Sequence, residues 1–535
     1  MSQLKAAKAI LGLFFCTSLL WSIFTPVFEG PDEDSAYNYA RYYARTWELP
    51  NITKKPVPEG AFHWEPLYFM LAGRIAAFTN APASKSGDYY YMDGWQRIRE
   101  ENPVNLFKHK VSEFRFNWDR IAWSLHLMRL TSVFLATASV WLTYKFSQEI
   151  FPKPSWIPHI TMLFFAFNPQ FIFFSGILNL VNMVIFTTSA FLYLLAKYIY
   201  RIKNYWYHAA GLGAALGVAI ISKMTALMML PVALATVGLR QKEIKKSVMA
   251  ILIFLFAFLV TGGWYLIRNQ ALYGEFSGAK AHVLFRFDRP TNPFLEEVGI
   301  LNYLISYPKT QWITLWSGFG WLTIYLPLVF PFIMLLIYAH GIFGFIQGVL
   351  FNKLKLDKIQ RRQMIAIGSM PLLAWLGITR AIFYVEVFHG KDLFFVTGAL
   401  ALTVVVGWQN LLKSIKTDNW IGVRSKAVVT GLVGLLTAFW FRQFEMAKLA
   451  KGIAVWGDIW QLIFMVAIGM GMIRVSWWLI VHRQSAIKLR ADWISRVNTL
   501  FTVVAATLMV ISLSILFLLF VPKMYSLSLW QLLIQ

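Results

Sequence analysis

Eight residues could do chemistry, and they fall in small groups. Asp32, Glu33 and Asp34 are three consecutive carboxylates in PDEDSAYNYARYYA, which directly follows a long apolar run. Ionised acids beside lipid are costly unless they are paired or used. They could accept a proton, bind a hard divalent cation such as Mg²⁺ or Mn²⁺ through oxygen, or cap the start of a helix. His63 and Glu65 flank Trp64 just ahead of Pro66, where a short apolar helix is expected to begin. They could contact an acceptor, ligate a metal, or cap that helix at the interface. Arg129, Arg268 and Lys391 could neutralise a phosphate. The alternative for these cations is snorkelling at helix ends, which suits Arg268 better than Arg129, placed within an apolar stretch.

The elements that must position these residues are membrane helices. The chain has 535 residues, of which 58% are hydrophobic and 14% charged. Its mean hydropathy is +0.54. Apolar stretches long enough to span recur along nearly the whole length. We expect an all-α polytopic protein with about 13 spans, near 9–28, 123–144, 157–177, 179–198, 207–222, 225–239, 248–267, 319–346, 364–384, 393–411, 427–441, 458–482 and 498–521. The N-terminal run resembles a signal peptide but continues too far and lacks a small-residue cleavage site, so it reads as a first helix over 1–28. An extracytoplasmic loop with juxtamembrane helices then covers 29–122, spans two to seven 123–267, a second extracytoplasmic loop 268–318, and spans eight to thirteen 319–535. HWEPLYFMLAGRIAAF, 63–78, is too short to span and reads as a surface helix.

The net charge of +24 follows the positive-inside rule better than it suggests nucleic acid. With the N-terminus in the cytoplasm, the basic segments 240–246, 352–362, 413–426 and 482–490 all fall inside and the C-terminus outside. The only cysteine is Cys16, so neither an intrachain disulfide nor a cysteine metal cluster can form. There is no nucleotide-binding glycine loop and no convincing internal repeat, which weighs against transporter folds.

The order of motifs resembles the GT-C superfamily of membrane glycosyltransferases, the polyprenyl- or dolichyl-phosphate-sugar-dependent enzymes that include the protein mannosyltransferases. The segments are PDEDSAYNYARYYARTWELP (31–50), HWEPLYF (63–69), MRLTSVFLAT (128–137), NPQFIFFSGILN (168–179), SKMTALMMLP (222–231), GGWYLIRNQALYGE (262–275), LWSGFGW (315–321) and HGKDLFF (389–395). Ala36 stands where related sequences tend to have His, Trp64-Glu65 where they have Gln-Pro, Leu180-Val181 where they have Asn-Asp, and Lys391-Asp392 where they have Arg-Tyr.

The resemblance implies transfer of a sugar from a polyprenyl-phosphate donor to an acceptor at the extracytoplasmic face of a bacterial inner membrane. It implies Asp32 as base, with Glu33 or Asp34 assisting. A metal, if used, would draw on Asp32, Asp34, His63 and Glu65, and Arg268, Lys391 and Arg129 would hold the donor phosphate. The altered positions keep a second reading open, a GT-C-fold structural subunit of a larger membrane complex. A third is a transporter or flippase of lipid-linked glycans.

Overall fold

The structure is a computed structural model that describes residues 3–51, 63–86, 89, 105–109, 111–152, 155–200, 205–241, 243–278, 299–381, 389–414 and 512–521. The expected spans near 427–441 and 458–482, most of that near 498–521, and the basic segment 482–490 lie outside the described residues.

The described residues form an all-helical polytopic membrane protein. Six helices are long and apolar enough to cross a membrane, or seven with a bent pair taken as one span. The first is α1 (Gln3–Phe24). Two shorter helices follow outside the bundle, α2 (Glu33–Thr46) and α3 (Leu67–Phe78). The long α4 (Arg120–Ile150) starts at Asp119, whose side chain accepts from the Ala122 N–H at 2.8 Å. The expected span near 157–177 is broken into α5 (Ile157–Ala166) and α6 (Pro169–Ser175), bent by 67°. Pro169 cannot donate to the preceding turn, and the Asn168 side chain caps the new helix through the Gln170 and Phe171 N–H groups.

Next come α7 (Val181–Tyr200), α8 (Tyr205–Ile220), a 3₁₀ turn at Met224–Met229, α9 (Leu230–Arg240) and α10 (Ile244–Tyr273). The close crossing of α8 and α10 depends on glycine. A Cβ on Gly262 would lie 1.9 Å from the Gly217 carbonyl oxygen, at a π-helical stretch covering Leu259–Gly263.

The segment expected as loop 268–318 contains a 17-residue helix, α11 (Ile300–Trp316). The span expected from 319 begins at Val329, because Gly318, Leu322 and Gly320 take positive φ and form a bridge between Phe319 and Ile324. α12 (Val329–Leu350), α13 (Lys358–Ala381), a 3₁₀ turn at Gly390–Leu393 and α14 (Phe394–Ser414) follow. The last described segment returns to α1, where the Trp21 Nε1–H donates to Ser512 Oγ at 3.2 Å.

Three apolar clusters result among the described residues. One lies in the bundle, a second joins α2, α3 and the N-terminal end of α4, and a small third packs Ile313 of α11 against Leu328, Phe332 and Leu336. In α2 the buried positions Ala36, Tyr37, Ala40 and Tyr43 recur at helical spacing and line one face. Burying each tyrosine contributes on the order of 2 kcal/mol, enough to hold a short amphipathic helix on the bundle.

Candidate active site

Asp32 is placed by its neighbours. The Asn179 amide donates to the Pro31 carbonyl at 3.3 Å on one side. On the other, Glu33 is fully buried and pinned. Its Oε1 accepts from Arg129 Nε and from the Leu178 N–H, both at 2.8 Å, and its Oε2 accepts from the second Arg129 nitrogen at 2.6 Å. Between these anchors Asp32 adopts φ 65°, a left-handed conformation that aspartate tolerates better than most residues. It occupies the N-cap position of α2, yet its side chain makes no cap bond. It turns instead to Lys391, whose Nζ lies 2.6 Å from Oδ2. Burial pushes the Asp32 carboxyl up, but the Lys391 ammonium outweighs it and holds the group below the usual aspartate value. The side chain remains 39% exposed, so it is reachable from outside.

Lys391 arrives from the turn before α14. That turn lies against α11 in backbone contact: a Cβ on Gly390 would sit 2.2 Å from the Leu315 nitrogen. The Gly390 N–H donates to Thr314 Oγ1 at 2.7 Å, and the Lys391 N–H donates to His389 Nδ1 at 3.0 Å. The adjacent Asp392 pairs with Lys223 at 2.5 Å, from the turn after α8. Four charges from three distant parts of the chain therefore alternate as Asp32, Lys391, Asp392 and Lys223. They sum to zero, and both lysines are mostly but not fully covered.

A second polar group borders the first. Glu65 Oε1 accepts from the Met224 N–H at 2.5 Å, beside Lys223. Burial pushes its carboxyl up to about 7, against the opposing pull of that N–H and of Lys223. The hydroxyls of Tyr39 and Tyr43 lie 3.4 Å apart nearby, and Tyr39 donates to the Trp64 carbonyl at 2.9 Å. Tyr265 and Arg268 of α10 complete this group.

The structure divides the expected site residues. Asp32 and Lys391 meet. Glu33 and Arg129 do not join them. Arg129 is fully buried, and besides Glu33 it donates to the carbonyls of Ser22, Thr25 and Pro26 at 3.0, 2.6 and 2.8 Å. All five of its N–H bonds are thus committed, which corrects its expected role as a phosphate ligand and the expectation that Glu33 assists Asp32. They clasp the end of α1 to α4. Arg268 stands on the Glu65 side and donates to the Pro50 carbonyl at 2.6 Å. His63 meets the Trp64 ring edge-on, with centroids 6.1 Å apart. Burial raises the Asp34 carboxyl, opposed by the Ser35 N–H.

No family model matches the sequence, and no curated protein matches it. Among solved structures, the chain is similar to the crystal structure of ArnT from Cupriavidus metallidurans bound to undecaprenyl phosphate. The TM-score is 0.46 and the identity 12%, covering 97% of this chain and 77% of that one. It is also similar to ArnT from the same organism in the apo state, with TM-score 0.43, identity 12%, and coverage of 97% and 78%.

The expected metal ligands do not fit a metal centre. Among the described residues, no three His, Cys, Asp or Glu side chains gather where they could hold an ion. Asp32 already faces an ammonium, and one Glu65 oxygen is taken by a backbone N–H. Lys223 and Asp392 were visible in the sequence, as a lysine at a turn between short helices and as an acid beside Lys391. Their pairing depends on a contact across 169 residues that no local pattern encodes.

Proposed function

We propose that the protein is a GT-C-type glycosyltransferase of the bacterial inner membrane, moving a sugar from a polyprenyl-phosphate donor to an acceptor at the extracytoplasmic face. One observation carries the reading. The first acid of the PDED stretch and the lysine of HGKD, 359 residues apart in sequence, meet in a partly open ion pair with a second lysine alongside. An acid and two lysines are what the reaction requires. The acceptor hydroxyl or amine loses its proton to Asp32 as its oxygen or nitrogen bonds to the anomeric carbon. The bond from that carbon to the phosphate oxygen breaks, and the lipid phosphate leaves with its charge held by Lys391 and Lys223.

In this reading the lysines do the work that Mg²⁺ or Mn²⁺ would do elsewhere. The resting ion pair also sets an order of events. Asp32 held by Lys391 is a weak base. A donor phosphate that draws Lys391 away leaves Asp32 beside new negative charge, which raises its proton affinity. The base is therefore strengthened when the donor is bound.

A second reading, a structural subunit of a membrane complex, is favoured by the same neutrality, since each lysine already has a carboxylate. Purified protein in lipid nanodiscs, incubated with polyprenyl-phosphate hexoses labelled in the sugar, separates the two. The enzyme reading predicts release of free polyprenyl phosphate that survives a chelator. Co-purification with stoichiometric partners and no turnover of any sugar lipid would favour the subunit.

A further inference from the structure

Behind the ion pairs lies a group of polar atoms that nothing so far uses. The hydroxyl of Tyr307, both amide atoms of Gln311 and Nε2 of His389 are buried without a hydrogen-bond partner. The three residues are 2%, 1% and 8% exposed. Tyr307 and Gln311 are four residues apart on α11 and so share a face. His389 is carried to α11 by the close approach of Gly390, and its own ring packs edge-on against Phe174. A Cβ on Gly390 would lie 2.6 Å from the Gln311 carbonyl oxygen as well as against Leu315. Asp392 acts on Tyr307 electrostatically, so the face adjoins the lysine cluster. Gln311 and Thr379 are the polar side chains that stand beside the Tyr307 hydroxyl.

Each stranded group is destabilising, and apolar residues of similar shape would avoid that cost. Concentrating several of them next to a reaction centre is what a binding site does. Their chemistry narrows the ligand. His389 Nδ1 accepts from the Lys391 N–H, so the neutral ring carries its proton on Nε2 and offers a donor. Gln311 offers a donor and an acceptor, and Tyr307 either. A phosphate or carboxylate would leave the amide oxygen facing negative charge, and a cation would face the imidazole N–H. Neighbouring hydroxyl groups, each able to donate and accept, match the whole set.

We propose that Tyr307, Gln311 and His389 form the subsite for the sugar hydroxyls of the lipid-linked donor, beside a phosphate site at Lys391 and Lys223. This rests on the reading of the lysines as donor-phosphate ligands. The three side chains are buried in this structure, and the turn beside them carries the same Lys391 that the donor phosphate draws from Asp32.

The test measures binding of two probes to protein in nanodiscs, bare undecaprenyl phosphate and undecaprenyl-phosphate hexose. Wild type is expected to bind the sugar lipid about tenfold or more tightly than the bare lipid, since a site built to bond hydroxyls discriminates strongly against their absence. Gln311→Leu, and separately Tyr307→Phe, which removes one oxygen and keeps the ring, should lose that preference and leave bare-lipid affinity unchanged. Lys391→Met should weaken both probes alike. Equal affinity of wild type for both lipids, or variants that keep the preference, would overturn the subsite and assign the polar atoms to trapped water. Failure of both probes to bind wild type would overturn the phosphate site itself.

Discussion

At the scale of single residues, Asp32 and Glu65 are two carboxylates set apart by their surroundings. Lys391 keeps Asp32 ionised, whereas burial keeps Glu65 protonated up to about pH 7. The folded protein holds a proton on Glu65 that the unfolded chain releases near 4.5, so its contribution to stability is full below pH 4.5 and falls as pH rises through 7. Melting of the detergent-solubilised protein should therefore weaken between pH 5 and 8, and Glu65→Gln should flatten that part of the profile. Gln keeps the oxygen that accepts from the Met224 N–H while removing the ionisation. An unchanged slope in the variant would assign the pH dependence elsewhere. Lys391→Arg is expected to keep the charge and recover part of the transfer activity that Lys391→Met loses, read as kcat/KM. Equal losses would mean that charge at this position is not what the reaction uses.

At the scale of elements, two buried clasps hold the segment between α1 and α4 on the bundle. Glu33 and Arg129 join the start of α2 to α4 and the end of α1. Arg129→Met strands a buried carboxylate and should destabilise the fold by about 3–5 kcal/mol, while Glu33→Gln with Arg129→Met should cost much less. Melting of the single and double variants checks this. The second clasp is His109, whose ring nitrogens meet Glu29 at 2.9 Å and Glu113 at 3.2 Å. Burial pulls the imidazole down, but the two carboxylates win and raise it to about 9. Its stabilisation is full below about pH 6.5 and is lost as pH rises through 9, so proteolysis of the outer loop should accelerate above pH 9 in wild type and already at neutral pH in His109→Ala.

Much of this layer was legible in the sequence. Hydrophobic runs located α1, α4, α7, α10, α12 and α14, and α3 was recognisable as too short to span. α11 was not, because Asn302, Lys309 and Gln311 interrupt its apolar pattern and Pro308 sits inside it. Nor were the partners of Arg129 and Lys391 readable, since an ion pair across a hundred or more residues leaves no periodic trace.

At the scale of the whole molecule, the helices bring a loop acid, a turn lysine and a pre-helix Lys-Asp pair to one place that no segment could build alone. The bundle supplies rigidity, and the zero net charge of the four ionised groups keeps the cluster stable until an anion competes for the lysines. The central claim is that Lys391 serves Asp32 at rest and the donor phosphate in turnover. Its most direct test combines sugar transfer and lipid binding in Asp32→Asn, which frees Lys391 while removing the base. The account predicts that this variant binds undecaprenyl phosphate more tightly than wild type yet transfers sugar roughly a hundredfold or more slowly. Transfer at the wild-type rate, or lipid binding that weakens when Asp32 is neutralised, would contradict it.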